Sequence, residues 1–505
     1  MNTDYIIVQA GGKGTRMEYL TANKPKSLVP VHNLPMLFHL FRKYPDKKFI
    51  IIGDYKYDVL NKYLRAFADV KYLLVDARGY QGTCAGLSKA IKLIPDSESF
   101  MLIWSDLILP KEFELPVEKG NYLGLSGDFR CRWKYENGEF EEEPSVEYGV
   151  AGLFVFQDKE QISAVPDEGE FVRWLKETGM KPKELVLSRT KEYGLISEYN
   201  KLKQDRCRPF NRMTVDGDRL IKEGIDEQGR KLAVREKAWY KFVEPLGFTD
   251  TPKIYSYEPF VMENVQGKNI FEYDLSREEK SRVLGKIVDM LKWLHSLGGE
   301  VPTDYFSMQE AYSTKTFARL EKIRDLVPFA NDEYIMINGR KCRNVFFYRD
   351  LLEQKLAGLD AKNFVLLHGD CTFCNMMLRD ENLEPLVIDP RGYFGYTEMY
   401  GDVAYDWAKL YYSIVGNYDR FNVKDFRLGI DDSGEIGQVT LDIGSNGWEE
   451  MEDEYLELIS DDVTKEQLKL IHAVIWLSLT TYAWEDYDSI CGAFYNGLYY
   501  LEEVL

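Results

Sequence analysis

Three short, mainly apolar runs constrain the fold of this chain more than any other feature. They are Tyr5-Ile6-Ile7-Val8, Lys48-Phe49-Ile50-Ile51-Ile52-Gly53 and Phe100-Met101-Leu102-Ile103-Trp104. A strand wet on one face alternates apolar and polar residues, whereas a strand covered on both faces is apolar throughout. Helical patterns fill the intervals between the runs, so the first half is predicted to be α/β with a mostly parallel sheet. Val150-Ala151-Gly152-Leu153-Phe154-Val155-Phe156 reads as a later strand of the same sheet.

The first run leads into Gly11-Gly12-Lys13-Gly14-Thr15-Arg16, and Lys24-Pro25-Lys26-Ser27-Leu28 follows. Glycines after a strand let the backbone fold around a phosphate and turn its amides inward. Arg16 and Lys26 supply charge to stabilise a pentacovalent phosphorus as pyrophosphate leaves. The pattern resembles the nucleotidyltransferases that make sugar nucleotides, and lacks the order of a dinucleotide-binding fingerprint. The resemblance covers about 200 residues and implies a GT-A/Rossmann-like domain over residues 1–204. It implies nucleotide contacts from Gly11, Gly12, Gly14 and Thr15, and from a second turn containing Gly82 and Thr83. It also implies Mg²⁺ ligands at Asp106, which ends a strand, and at Glu192, where the family often carries aspartate.

Near Cys207-Arg208-Pro209-Phe210 the character changes. Asp216-Gly217-Asp218 between two strand-like segments predicts a hairpin. A helix holding Glu236 and Trp239, a strand at Phe260-Val261-Met262-Glu263 and long helical patterns from Arg277 follow. The second domain is expected over 205–505, with a small lobe to about 268 and a helical lobe beyond. The stretch from Ile430 to Trp448 reads as an inserted hairpin or loop.

The helical lobe carries His368-Gly369-Asp370-Cys371-Thr372-Phe373-Cys374-Asn375, then Leu386-Val387-Ile388-Asp389. Phosphoryl transfer to a hydroxyl needs a carboxylate to orient and deprotonate the acceptor, with an amide and a second carboxylate to hold Mg²⁺ on the phosphates. Asp370 suits the first role, and Asn375 and Asp389 suit the metal. The spacing resembles the aminoglycoside phosphotransferase and choline kinase group, implying a bilobal protein-kinase-like fold. That resemblance assigns Lys222 to the ATP phosphates with Glu236 as its partner, and Met262 and Glu263 to a hinge beside adenine. It places Asp402, in Gly401-Asp402-Val403-Ala404-Tyr405-Asp406-Trp407-Ala408-Lys409-Leu410, behind the catalytic loop. Arg391 is a candidate contact for phosphate or an anionic acceptor. His368 is read as loop-structuring, His295 as packed, and Cys371 and Cys374 as bystanders.

A formal net charge of −19 argues against a nucleic-acid partner. No apolar run reaches the roughly 20 residues of a membrane span, and the N-terminus lacks a signal peptide, so a cytoplasmic enzyme is expected. The seven cysteines show no zinc spacing. The expected partners are small molecules and nucleotides, and the sequence leaves the oligomeric state open. A kinase makes a phosphate monoester and a nucleotidyltransferase consumes one. The pairing predicts that ATP phosphorylates a metabolite X, which then attacks CTP, GTP or UTP to give NDP-X and pyrophosphate. The first motif favours a sugar-like X for a surface polysaccharide; the alternative is choline, giving CDP-choline. Aromatic residues converging near Asp370 would favour choline. A third reading keeps the kinase active and leaves the N-terminal domain to bind nucleotide without catalysis.

Overall fold

A computed structural model of the chain describes residues 3–202, 211–225 and 227–505. The segment Cys207 to Phe210, where the sequence changes character, lies outside the described residues. The chain divides into two compact units, Met1–Gln204 with Glu485–Tyr487, and Asp205–Trp484 with Asp488–Leu505.

The first unit is built on a nine-stranded sheet. Its parallel part consists of β1 (Thr3–Gln9), β2 (Lys48–Gly53), β3 (Lys71–Asp76) and β4 (Ser99–Trp104), in the order β3-β2-β1-β4. Ile6, Ile7 and Val8 of β1 are all fully buried, as a strand covered on both faces requires. Each such side chain contributes about 1.5–3 kcal/mol on burial. Beyond β4 the direction reverses. β5 (Tyr122–Ser126) and β6 (Gly149–Phe156) are antiparallel to each other, and β6 runs antiparallel to β4. The chain leaves β1 toward β2 on one side and returns to β4 on the other, so β1 and β4 flank the point where strand order reverses. Open α/β sheets leave a crevice there, outside the carboxyl ends of the strands.

In the second unit the Asp-Gly turn is a hairpin. β7 (Asn211–Asp216) pairs with β8 (Arg219–Gly224), and Gly217 takes φ +60° between them. With β9 (Ile254–Tyr257) and β10 (Phe260–Glu263) they form an antiparallel sheet in the order β7-β8-β10-β9. Helix α1 (Glu227–Val243) connects β8 to this pair. Helix α2 (Arg277–Ser296) opens with a Ser276/Glu279 capping box, which satisfies amide groups that a helix start otherwise leaves bare. Helices α3 (Lys315–Ile323), α4 (Val403–Ile414) and α5 (Lys465–Leu479) build the helical lobe. Between α3 and α4, β11 (Asn363–Leu366) leads into the His368 loop, and β12 (Met376–Arg379) pairs with β13 (Pro385–Val387). The expected insertion is a hairpin, β14 (Phe426–Asp431) with β15 (Gln438–Ile443), starting before Ile430. No helix among the described residues is long and apolar enough to cross a membrane.

Candidate functional site

The end of β1 fixes the first constellation. The carbonyls of the following loop are tied down: Gly11 O accepts from Tyr55 N at 3.2 Å, and Gly14 O from Met17 N at 2.8 Å. Among the described residues, the amides of Gly11, Gly12, Lys13 and Gly14 donate to no protein acceptor. A loop with bound carbonyls and unbonded amides is an anion cradle. Thr15 and Arg16 are exposed at its far end. The second turn is fastened to the same strand, because Gln9 Nε2 donates to Thr83 O at 2.6 Å. The Thr83 hydroxyl is occupied in accepting from Phe171 N at 2.8 Å. Gly82 sits at φ +86°, and a Cβ there would lie 2.2 Å from the Gly169 carbonyl oxygen, so only glycine fits.

Lys26 brings the acids together. Its ammonium hydrogen-bonds Asp106 at the end of β4 and lies 3.9 Å from Glu192 Oε1. Burial, followed by the Asp106 charge, raises Glu192 above the usual carboxylate range, while Lys26 and Arg16 pull against them. Asp106 Oδ1 is buried without a hydrogen-bond partner. Two crowded carboxylates with one orphaned oxygen suit a hard divalent cation that takes its remaining ligands from phosphate oxygens. Gly194 leaves room for this arrangement, since a Cβ there would fall 1.9 Å from Glu192 Oε1.

The second constellation is more heavily wired. On β8, Lys222 lies 2.8 Å from Glu236 of α1 and also hydrogen-bonds Asp389. Burial works to lower Lys222, but the Asp389 and Glu236 charges outweigh it and hold the ammonium above its ordinary value. Burial pushes Glu236 up to about 7 in spite of Lys222. Met262 pairs with Leu220 on β8, and Glu263 binds Arg379 at 2.6 Å.

In the loop after β11, Asn375 Nδ2 donates to the Asp370 carbonyl at 2.8 Å and to its carboxylate at 3.1 Å. Ile388 N donates to Asn375 O at 2.9 Å, bringing Asn375 beside the Asp389 segment. Lys409, on α4, lies 2.9 Å from Asp370 Oδ1. Burial acts to raise Asp370, and Lys409, then Arg391, overcome it and hold the acid at about 2.

His368 is structural. Its Nδ1 accepts from Asp370 N at 3.2 Å, and its Nε2 faces the Ile388 carbonyl at 2.9 Å. Burial lowers its pKa, consistent with a neutral ring bridging the two segments. Asp402 does not buttress the catalytic loop as the sequence suggested. It caps α4 through Ala404 N and accepts from Tyr312 OH at 2.7 Å. Asp406, one turn further along, takes the amides of His368 at 2.9 Å and Gly369 at 2.8 Å, and holds His295 at 3.1 Å. The Cys371 thiol donates to the Asp406 carbonyl, which ties it to the loop. Among the described residues, no three His, Cys, Asp or Glu side chains gather into a metal cage.

Residues 5–125 match the nucleotidyl transferase family, and residues 225–432 match the phosphotransferase enzyme family. The chain therefore joins a nucleotidyltransferase domain to a kinase-like phosphotransferase domain. Over 107 residues it is 33% identical to the UTP–glucose-1-phosphate uridylyltransferase AglF of Haloferax volcanii, covering 20% of this chain and 43% of that protein. Over 112 residues it is 29% identical to the bifunctional protein GlmU of Methanocaldococcus jannaschii, covering 21% of this chain and 26% of that protein. The chain thus spans less than half the length of either relative. The inositol-1-phosphate CTP transferase structure from T. maritima aligns over 39% of this chain and 92% of its own, at 16% identity and a TM-score of 0.34.

Proposed function

We propose that the chain is a bifunctional enzyme that phosphorylates a sugar-like hydroxyl compound and converts the product to a nucleotide conjugate. The observation that supports this most is the presence of two complete sets of phosphate-handling groups: unbonded loop amides with Lys26, Asp106 and Glu192, and Lys222 with Asp370, Asn375 and Asp389.

In the first reaction Asp370 aims the acceptor hydroxyl at the γ-phosphorus of ATP. The new O–P bond forms as the bond to the β–γ bridging oxygen breaks. ADP departs, and the hydroxyl proton passes through Asp370 to solvent. Lys222, braced by Glu236, holds the phosphates. In the second reaction a phosphate oxygen of X-phosphate attacks the α-phosphorus of CTP, GTP or UTP, and pyrophosphate leaves. The Gly11–Gly14 amides, Arg16 and Lys26 balance the charge on that phosphorus and on the leaving group. Mg²⁺, held by Asp106 and Glu192 in one domain and by Asn375 and Asp389 in the other, would neutralise phosphate charge.

Choline is the competing acceptor, and Tyr393, Tyr405 and Tyr412 do cluster around Arg391 and around Lys409, the partner of Asp370. Their faces, however, carry the protein's own cations. Arg235 and Arg391 lie 4.2 and 4.6 Å from the Tyr393 ring centroid, and Lys409 lies 5.8 and 5.4 Å from those of Tyr405 and Tyr412. A quaternary ammonium would have to compete with these cations for the ring faces, and Arg391, whose hydrogen bonds go to phenols, would repel it. The sugar-like reading is therefore preferred.

The test is incubation of the chain with ATP, a second NTP, Mg²⁺ and a panel of sugars, sugar acids and amino alcohols, with products read by mass spectrometry. The expected result is NDP-X formed from an unphosphorylated acceptor. Formation of CDP-choline as the sole conjugate would establish the competing reading.

A further inference from the structure

The helical lobe gathers more positive charge around Asp370 than phosphoryl transfer from ATP requires. Lys409 is neutralised by Asp370 itself. Arg391, whose backbone amide is anchored to the His368 carbonyl, spends its guanidinium on two neutral phenols: Tyr405 OH at 2.8 Å and Tyr393 OH at 2.9 Å. Arg319 of α3 reaches Ser478, again a neutral partner. Lys315, one helical turn before Arg319, is half-buried and has no hydrogen bond or ion pair among the described residues. Burial first, then the charges of Arg391, Arg319 and Lys409, hold Lys315 well below its ordinary value, opposed by Glu310. Arg235 of α1, itself exposed, lies over the Tyr393 ring at the edge of the set. Asp370, on Lys409, and Glu310, beside Lys315, offset part of this charge.

A fold does not gain by packing unpaired cations together. Enclosing like charges costs free energy that neutral side chains of similar size would avoid. The segment that carries Lys315 is also irregular. A π-helical turn, Glu310–Thr314, runs directly into α3, and its Tyr312 ring lies 6.1 Å from the ring of Tyr405, the phenol that binds Arg391. Such turns occur frequently at functional sites.

We propose that the acceptor phosphorylated at Asp370 carries an anionic group of its own, a carboxylate or a phosphate, which is bound by Lys315, Arg319 and Arg391. The inference rests on the kinase reading of the second domain and narrows its substrate class to acidic polyols or phosphorylated sugars. The anion completes the charge balance of the pocket. Its hold on the cations leaves a hydroxyl elsewhere on the same molecule free to meet Asp370. Lys222 and Asp389 remain with ATP, so the anion subsite is distinct from the nucleotide phosphates.

The test uses the full-length chain with ATP, Mg²⁺ and matched pairs: glycerate against glycerol, gluconate against sorbitol, and glucose 6-phosphate against glucose. The expected result is that the acidic member of at least one pair is preferred about tenfold or more in kcat/KM, and which pair responds distinguishes carboxylate from phosphate. Lys315→Met should raise KM for that acid about tenfold, as loss of one charge-assisted contact predicts. It should leave KM for ATP within about twofold and the protein folded, with Tm equal or higher. Lys315→Arg should restore part of the affinity. Preference for the neutral members, or equal effects of Lys315→Met on both members, would overturn the proposal. Where no pair yields ADP, calorimetric titration with inorganic phosphate and gluconate decides. Binding that weakens about tenfold in Lys315→Met keeps the anion subsite with an acceptor outside the panel, no anion binding sinks the subsite, and loss of ATP binding as well would sink the kinase reading.

Discussion

The two constellations proposed to handle phosphate use the same kinds of groups and differ in how firmly the protein holds them. Around β1 the donors are backbone amides of an open loop, Arg16 is exposed, and a single lysine separates Asp106 from Glu192. Around Asp370 nearly every group has a buried partner: Asp406 under the loop, His368 across it, Lys409 on the carboxylate and Glu236 behind Lys222. A site made of loop amides takes its charge balance from the bound nucleotide. A site made of buried ion pairs is preorganised and must pay desolvation in advance. The first should therefore be sensitive to its charges and tolerant in its scaffold, and the second sensitive to both.

That contrast can be broken most sharply at Asp406. Asp406→Ala would strand two buried amides and His295, and should destabilise the second unit by about 3–5 kcal/mol, read by denaturant unfolding. Kinase activity should fall with it. Next, Lys26→Ala should lower nucleotidyl transfer about 10²–10³-fold, or about 3–4 kcal/mol in the barrier, with a smaller fall in the unfolding midpoint than Asp406→Ala gives. Gly82→Ala, which places a Cβ against the Gly169 carbonyl at positive φ, should cost about 1–3 kcal/mol in the first unit. Asp402→Ala should be mildest, about 1 kcal/mol for a lost helix cap, with the kinase loop intact. If Asp402→Ala were as damaging as Asp406→Ala, the assignment of loop support to Asp406 would be wrong.

Much of the architecture is legible in the sequence because it rests on local signals. The strand Lys48–Gly53 and the strand Phe260–Glu263 are marked by apolar runs, the hairpin by Asp216-Gly217, and the start of α2 by the helical pattern from Arg277. What escaped depends on contacts remote in the chain. Asp402 and Asp406 are both acids in one helical segment, and local pattern does not show which of them reaches the amides of residues 368 and 369. Lys409 stood in the quoted motif, and only its contact with Asp370 gives it a part in the site. The cation group joins Lys315 and Arg319 of α3 to Arg235, Arg391 and Lys409 from three other parts of the chain, and no spacing rule links those parts. The faces of Tyr393, Tyr405 and Tyr412 likewise became informative only when the cations over them were seen.

The central claim is that one chain holds two separable active sites. It is tested most directly by assaying both half-reactions on Asp370→Asn and on Lys26→Ala, using an acceptor identified by the product screen and its phosphate. The account predicts that Asp370→Asn loses ADP formation but still converts supplied X-phosphate to NDP-X. Lys26→Ala should show the reverse. Loss of both half-reactions in either variant, with the protein still folded, would contradict it.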